Sequence, residues 1–279
     1  MSLKLDKPLV SVEWLYDNFD TKKLIILDCT IPKVTANTNI IQEKHQIKGA
    51  IFFDIENTFS DKRARFPKTV LLPKMFEKNA RKLGINQDSI LICYDDLGIY
   101  SSPRVWWMFQ LMGFKNVAVL DGGLPAWKSK KYPIENPKNH HIETGNFKVN
   151  YQPEKLKYTE DVLLATQQKN ILIADARSKG RFNGTEPEPR KNLKSGHIPN
   201  SVSLPYEEIL QNGTLKAAAD LKKIFKQFTH KKEVIFTCGS GITAAILALG
   251  ATIAEIKNVA VYDGSWTAWG SIFDNTIEQ

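Results

Sequence analysis

Short apolar runs alternate with longer amphipathic stretches along the whole chain. The runs are rich in Val, Ile and Leu and occupy residues 24–27, 90–94, 117–120, 171–174, 234–237 and 259–262. Strands that are buried on both faces have this composition, whereas half-exposed strands alternate apolar and polar residues. Helices are predicted at residues 73–82, 102–112, 217–228 and 242–256. The pattern therefore predicts an α/β protein whose mostly parallel sheets are covered by helices on both faces.

The chain contains an internal repeat. Residues 115–127 (KNVAVLDGGLPAW) align with residues 257–269 (KNVAVYDGSWTAW), and nine of these thirteen positions are identical. Three upstream segments align in the same order, namely 24–28 with 171–175, 47–50 with 198–201, and 90–95 with 233–238. A repeat of this extent indicates two copies of one structural unit. We expect an N-terminal domain at residues 1–137, a linker at 138–155 and a C-terminal domain at 156–279.

Composition agrees with two globular domains. The chain has 279 residues, of which 42% are hydrophobic and 24% charged, and a domain takes about 150 residues. No apolar run approaches the roughly 18 residues of a membrane span, and the N-terminus has no secretory or transit signal. We therefore expect a cytoplasmic protein that does not bind membranes.

The net charge of +8 suggests anionic partners. The basic residues are dispersed, with no stripe interleaved with aromatic residues, which argues against nucleic acid and leaves small anions. The five histidines and three cysteines show no metal-binding spacing, so we expect no metal and no other cofactor.

Cys238 differs from the other two cysteines in its surroundings. It ends an apolar run and is followed by Gly239, Ser240 and Gly241 before a predicted helix. Such a loop turns successive backbone N–H groups inward at a helix N-terminus, which favours a thiolate or a charged persulfide. Cys93 lies inside an apolar strand and Cys29 has no such loop, so we expect both to be buried and chemically silent.

The sequence after Cys238 excludes one alternative for a cysteine in such a loop. A phosphatase needs an arginine six residues after the nucleophile, and that position is Ala244. Phosphatase chemistry is therefore disfavoured.

The segment Cys238-Gly-Ser-Gly-Ile-Thr243 resembles the active-site loop of the two-domain rhodanese-like sulfurtransferases, and among them most closely the 3-mercaptopyruvate sulfurtransferases. Three further segments carry the same resemblance, at 101–109 (SSPRVWWMF), 120–127 (LDGGLPAW) and 180–190 (GRFNGTEPEPR). The resemblance covers nearly the whole chain. It implies a tandem repeat of two rhodanese-like domains, of which the N-terminal copy is non-catalytic and the C-terminal copy catalytic.

The resemblance also implies the site and its reaction. Cys238 and Ser240 would be catalytic, and the donor would be bound by Arg181, Arg190, Gly239, Gly241, Ile242 and Thr243. The implied reaction moves sulfur from 3-mercaptopyruvate through a Cys238 persulfide to cyanide, a thiol or a thioredoxin-like protein. Either arginine could instead form a salt bridge with Glu186 or Glu188. The neutral residues after Cys238 favour mercaptopyruvate, since thiosulfate-specific relatives carry basic residues there.

One departure from the pattern of these enzymes leaves the identity of the sulfur donor undecided. The mercaptopyruvate enzymes supply an Asp and a His to the loop serine from the N-terminal domain. Here Glu56 stands at the Asp position, and residues 61–73 contain no histidine. Arg63, Arg65 or Lys68 would then occupy that space, or form a solvated loop. Thiosulfate:cyanide sulfur transfer and a non-enzymatic persulfide carrier therefore remain alternatives.

His197 is the histidine nearest in sequence to the predicted donor-binding arginines. It lies in the segment Ser-Gly-His-Ile-Pro, which leads into a strand. We expect it to form local hydrogen bonds that hold this loop, rather than to act as a base.

Overall fold

A computed structural model of the protein describes residues 3–32, 44–138, 141–272 and 274–279. The chain forms two compact units. One contains Met1–Asp61 and Val70–Tyr151, and the other contains Lys62–Thr69 and Gln152–Gln279. The predicted boundaries follow sequence order, whereas the structure groups Lys62–Thr69 with the C-terminal unit.

The N-terminal unit is built on a five-stranded parallel sheet. Its strands are β1 (Leu9–Val10), β2 (Leu24–Asp28), β3 (Gln46–Ile47), β4 (Ile51–Phe52), β5 (Ile90–Tyr94), β6 (Val117–Leu120) and β7 (Ile134–Glu135). The sheet order is β1-β6-β5-β2-β4, and β3 pairs with β7 in a separate antiparallel ladder. The helices are α1 (Val12–Asp17), α2 (Pro73–Lys82), α3 (Ser102–Leu111) and α4 (Gly123–Ser129).

The C-terminal unit repeats this topology. Its strands are β8 (Leu156–Lys157), β9 (Ile171–Asp175), β10 (Ser201–Ser203), β11 (Leu210–Gln211), β12 (Thr214–Leu215), β13 (Glu233–Thr237) and β14 (Val259–Tyr262). The helices are α5 (Thr159–Ala165), α6 (Lys179–Phe182), α7 (Ala218–Phe225), α8 (Ala244–Ile253) and α9 (Ser265–Trp269), with 3-10 turns at Pro153–Lys155, Tyr206–Ile209 and Lys226–Phe228. The parallel order β8-β14-β13-β9-β10 matches the N-terminal sheet strand for strand, and β11 pairs with β12.

Burial explains why these segments take these forms. All five residues of β5 are buried, and so are Ala244 through Ala251 in α8. A strand covered on both faces and a helix surrounded by protein have little room for polar residues, which is the pattern seen in the sequence. The predicted tandem α/β architecture is thus confirmed.

Equivalent backbone hydrogen bonds recur in the two units. The N–H of Leu124 donates to the carbonyl oxygen of Asp95 at 3.0 Å, and the N–H of Trp266 donates to that of Cys238 at 2.9 Å. The loops after β5 and β13 are therefore held by the same contact, and the repeat places Asp95 and Cys238 at corresponding positions.

The basic segment Lys62–Thr69 packs with the C-terminal unit. Phe66 contacts an apolar cluster that includes Ile198, Tyr262 and Trp266. The guanidinium of Arg65 lies 5.4 Å from the Phe66 ring centroid. Phe66 thus anchors to the C-terminal unit a segment that the sequence places in the N-terminal domain.

Among the described residues, no helix has both the length and the apolar character needed to cross a membrane.

Candidate active site

The loop after β13 is fixed from one side by the N-terminal turn of α9. The N–H of Cys238 donates to Oγ of Ser265 at 3.2 Å. The carbonyl oxygen of Gly239 accepts from the N–H of Thr267 at 2.9 Å and from its hydroxyl at 2.5 Å. Gly241 has φ of +77°, a backbone conformation that favours glycine. Cys238 itself is 2% exposed.

The matching loop of the N-terminal unit holds a negative charge. The buried carboxylate of Asp95 accepts hydrogen bonds from four backbone N–H groups at 2.9–3.0 Å, those of Leu97, Tyr100, Ser101 and Ser102. The hydroxyl of Ser102 adds a fifth at 2.6 Å. The loop of this fold can therefore surround an anion with N–H donors, and in the other copy a thiol stands at that position.

Two arginines meet at Gly239. A β-carbon at this glycine would lie 3.3 Å from Nη2 of Arg181 and 3.3 Å from Nη1 of Arg190. Arg181 belongs to α6, and Arg190 follows in the turn-rich segment after it. Because Gly239 directly follows Cys238 in the chain, the two guanidiniums expected to bind the donor lie against the Cys238 loop.

Ser240 is linked to one of these arginines. Nη2 of Arg190 donates to Oγ of Ser240 at 3.1 Å, and Ser240 is 5% exposed. Ile242 is buried in the same loop and Thr243 is partly buried. The predicted residues Gly239, Ser240 and both arginines are thus in contact, whereas Ile242 and Thr243 shape the loop before α8.

Arg181 also forms a salt bridge with Glu188, which the sequence suggested as an alternative to donor binding. Its Nη2 and Nε lie 2.6 and 3.1 Å from the carboxylate oxygens of Glu188, whose side chain is 1% exposed. The salt bridge and the approach to Gly239 therefore coexist, because one side of the guanidinium contacts Glu188 while Nη2 also reaches the loop.

A third arginine, Arg177, is buried and shares Glu188 with Arg181. Nη1 of Arg177 lies 2.8 Å from Glu188, its Nη2 lies 2.7 Å from Asp175, and the guanidinium lies 4.2 Å from the Trp266 ring centroid. Burial alone lowers the pKa of Arg177, but the carboxylates of Asp175 and Glu188 outweigh it and raise that pKa above its usual value. Arg177 therefore stays charged inside the unit.

His197 has the structural role predicted for it. Its Nδ1 lies 2.9 Å from the carbonyl oxygen of Phe182, and the two rings stack with centroids 3.8 Å apart. Its backbone pairs with that of Glu278. These contacts hold the loop locally.

Cys29 and Cys93 belong to the N-terminal unit, where Cys29 directly follows β2 and Cys93 lies in β5. Both are fully buried, and burial raises the pKa of Cys29 well above its usual value. Within the described parts of the chain, no group of three or more His, Cys, Asp or Glu side chains is arranged to hold a metal ion.

Two contributors to the site were not predicted. Arg177 is joined to Asp175 across one residue, a short pattern at the end of β9 that could have been noticed. Ser265 stands where the repeat has Gly123, and this mismatch inside a nearly identical segment was a usable signal.

The Rhodanese-like domain family matches residues 11–130 and 159–272. The chain belongs to this family. A 3-mercaptopyruvate sulfurtransferase of Escherichia coli (strain K12) is 36% identical over 274 residues, covering 96% of this chain and 97% of the relative. The "Thiosulfate/3-mercaptopyruvate sulfurtransferase 1, mitochondrial" of Arabidopsis thaliana is 35% identical, covering 99% of this chain and 79% of the relative.

A solved structure extends the likeness to the rhodanese fold. The crystal structure of a 3-mercaptopyruvate sulfotransferase from Escherichia coli has a TM-score of 0.81 to this chain at 34% identity. The alignment covers 93% of this chain and 99% of that one. Both rhodanese-like units of the chain therefore lie within a fold known for sulfur transfer.

Proposed function

We propose that this chain is a sulfurtransferase that moves sulfur from 3-mercaptopyruvate through a Cys238 persulfide to cyanide or a thiol acceptor, releasing pyruvate. The observation that carries the proposal is the meeting of Arg181 and Arg190 at Gly239, beside the only cysteine in such a loop. The relatives named for this activity support the choice of donor.

In the first half-reaction the Cys238 thiolate attacks the thiol sulfur of the donor. The S–S bond forms as the carbon–sulfur bond breaks, and its electron pair passes to the pyruvate enolate. The planar guanidiniums of Arg181 and Arg190 bind the donor carboxylate and the developing enolate oxygen. The proton of the donor thiol is transferred to the enolate carbon, leaving pyruvate and a persulfide anion.

Ser240 carries that proton. Because its Oγ accepts a hydrogen bond from Arg190 at 3.1 Å, its own hydroxyl proton is directed elsewhere. A hydroxyl beside a guanidinium is a stronger acid than a free one, so it can protonate the enolate carbon and recover a proton from the sulfur.

In the second half-reaction the acceptor attacks the outer sulfur of the persulfide and restores the Cys238 thiolate. Cyanide, a small thiol or the cysteine of a thioredoxin-like protein has the required nucleophilicity. Until then the persulfide charge is stabilised by backbone N–H groups of the loop, in the manner of Asp95 in the other copy.

Thiosulfate is the second candidate donor. The placement of Lys62–Thr69 with the catalytic unit favours it, since this segment contains Lys62, Arg63, Arg65 and Lys68 and no acidic residue. One relative is named for both donors.

Steady-state turnover with cyanide as acceptor tests the proposal. A kcat/KM for 3-mercaptopyruvate well above that for thiosulfate supports it, and the reverse order supports the second candidate. Absence of turnover on both would indicate a persulfide carrier. The Cys238→Ser variant must lose all transfer, whereas Cys29→Ser and Cys93→Ser should retain it.

We also propose a cytoplasmic location. One relative is named as mitochondrial, which makes the mitochondrion the alternative location. Fractionation of the native host, with detection by an antibody against this chain, tests the location.

A further inference from the structure

The carboxylate of Glu188 is shared between two guanidiniums behind the Cys238 loop. Its Oε1 lies 2.8 Å from Nη1 of Arg177 and 3.1 Å from Nε of Arg181, and its Oε2 lies 2.6 Å from Nη2 of Arg181. That last nitrogen is the one that faces Gly239. Glu188 is therefore one hydrogen bond away from the donor-binding surface.

Charges in this connected set do not balance. Asp175 and Glu188 supply two carboxylates, against the guanidiniums of Arg177, Arg181 and Arg190. Within the described part of the chain Arg190 pairs with no carboxylate, and it donates instead to the neutral hydroxyl of Ser240. One positive charge, that of Arg190, therefore remains for a ligand.

We propose that Glu188 determines the donor preference of the site. Glu188 acts through Arg181 as a positioning residue: it fixes the guanidinium beside Gly239 and cancels its charge. The site then offers two sets of N–H donors but only one net positive charge, which matches a singly charged 2-oxo acid better than a doubly charged anion such as thiosulfate. The inference rests on the proposed function and names its specificity determinant.

Burial makes this compensation effective. The side chain of Glu188 is 1% exposed and that of Arg181 is 20% exposed, so solvent and salt screen their interaction weakly. A surface ion pair would cancel little of the field at a ligand, whereas a partly buried bidentate pair cancels most of it.

The decisive variant is Glu188→Gln, which keeps the shape of the side chain and removes its charge. The site then carries two net positive charges. The ratio of kcat/KM for thiosulfate to kcat/KM for 3-mercaptopyruvate should rise about tenfold or more at low ionic strength, and less at high salt. Glu186→Gln, an exposed neighbour whose carboxylate accepts from Ser178, is the matched control and should leave the ratio unchanged.

Two further variants keep the test valid if Glu188→Gln folds poorly. Arg181→Gln removes one positive charge and should lower the ratio. The double variant Arg181→Gln/Glu188→Gln removes an opposite pair, which avoids an uncompensated buried charge, and returns the net charge to that of the wild type. Its ratio should exceed that of Arg181→Gln, although both donors bind less well.

A binding measurement makes the test independent of turnover. Pyruvate and thiosulfate are titrated calorimetrically into Cys238→Ser and into Cys238→Ser/Glu188→Gln. The Glu188→Gln change should raise the affinity for thiosulfate relative to that for pyruvate. If the Cys238→Ser/Glu188→Gln protein binds pyruvate and thiosulfate more weakly than Cys238→Ser by the same factor, Glu188 is only a scaffold residue and the inference fails. That failure leaves the proposed function standing, whereas transfer that survives Cys238→Ser would overturn the function itself.

Discussion

The hydroxyl oxygen of Ser265 accepts a hydrogen bond from the backbone N–H of Cys238, with 3.2 Å between nitrogen and oxygen. Ser265 also donates to the carbonyl oxygen of Tyr262 at 2.7 Å, and its φ is +47°. At the matching position the other copy has Gly123, with φ of +51°. A buried serine thus adopts a conformation that costs a residue with a side chain roughly 1–2 kcal/mol, and in doing so it holds the backbone of Cys238, the proposed nucleophile.

Replacing Ser265 by Gly should lower the activity strongly while changing the stability little. The substitution relieves the left-handed strain but removes two hydrogen bonds, each worth about 1 kcal/mol, so the free energy of unfolding should change by less than about 1.5 kcal/mol. Turnover should fall about tenfold, because the Cys238 peptide is no longer fixed. Urea denaturation and steady-state kinetics measure the two effects.

The exposed Ser271, whose hydroxyl contacts the carbonyl oxygen of Ala268, provides a control for Ser265. Ser271→Ala should change neither the free energy of unfolding nor the turnover. A Ser265→Gly protein with wild-type kcat would contradict a positioning role for this hydroxyl.

The sequence predicted the interior elements of the fold well and its edges poorly. Strand β5 and helix α8 are enclosed on all sides, and that enclosure is recorded in their composition. Strands such as β1 and β8 contain two residues each, and they exist because a neighbouring strand supplies hydrogen bonds. No local pattern specifies such pairing.

The same distinction applies to the site. The Cys238 loop was predictable because the cysteine and the glycines that shape the loop are adjacent in sequence. The sequence suggested Glu188 only as a salt-bridge partner that would take Arg181 or Arg190 away from the donor, since a glutamate in a polar turn-rich segment is ordinarily exposed. Only the fold places it between Arg177 and Arg181, where burial changes it from a solvated charge into a fixed counter-ion.

Asp95→Asn should destabilise the N-terminal unit strongly. An amide group presents one oxygen where the carboxylate presents two, so its NH₂ group would face backbone donors that Asp95 now satisfies. Leaving buried donors unpaired costs about 1–3 kcal/mol each, and we expect a total loss of about 3 kcal/mol in the free energy of unfolding.

Asp54→Asn provides the comparison for Asp95, because Asp54 caps an exposed turn through Asn57 and Thr58. It should cost about 1 kcal/mol or less. Equal losses in urea denaturation for the two variants would show that the Asp95 loop is not a special anion-binding structure.

Asp96 should make the protein less stable as pH rises, whereas an acid in a salt bridge makes a protein more stable as pH rises. Burial, followed by the charges of Asp95 and Asp28, raises its pKa to about 6, and Lys44 opposes this weakly. The unfolded value is about 3.9, so the folded state binds the proton more tightly and stability falls as pH rises from about 4 to 6. Because the carboxyl group of Asp96 is only partly desolvated and its side chain stays in contact with solvent, screening limits the effect to about 1 kcal/mol.

The Asp96→Asn variant tests this sign. It should be more stable than the wild type at pH 7.5 by up to about 1 kcal/mol, and the difference should vanish near pH 4.5. Asp88→Asn is the contrasting control, since the hydrogen bond from Lys23 lowers the pKa of Asp88 and its effect should not change between these pH values. A difference for Asp96→Asn that is constant with pH would contradict the assignment.

Gly239 and Gly241 should respond differently to alanine, because the loop needs them for different reasons. A β-carbon at Gly239 would lie 3.3 Å from a nitrogen of each arginine, so both guanidiniums must move, while its φ lies outside the left-handed region. Gly239→Ala should therefore raise the donor KM about tenfold with little loss of stability. Gly241 has φ of +77°, so the Gly241→Ala protein should be about 1–2 kcal/mol less stable than the wild type. Donor titrations and urea denaturation on both variants decide the matter, and an unchanged KM for Gly239→Ala would remove the two arginines from the donor site.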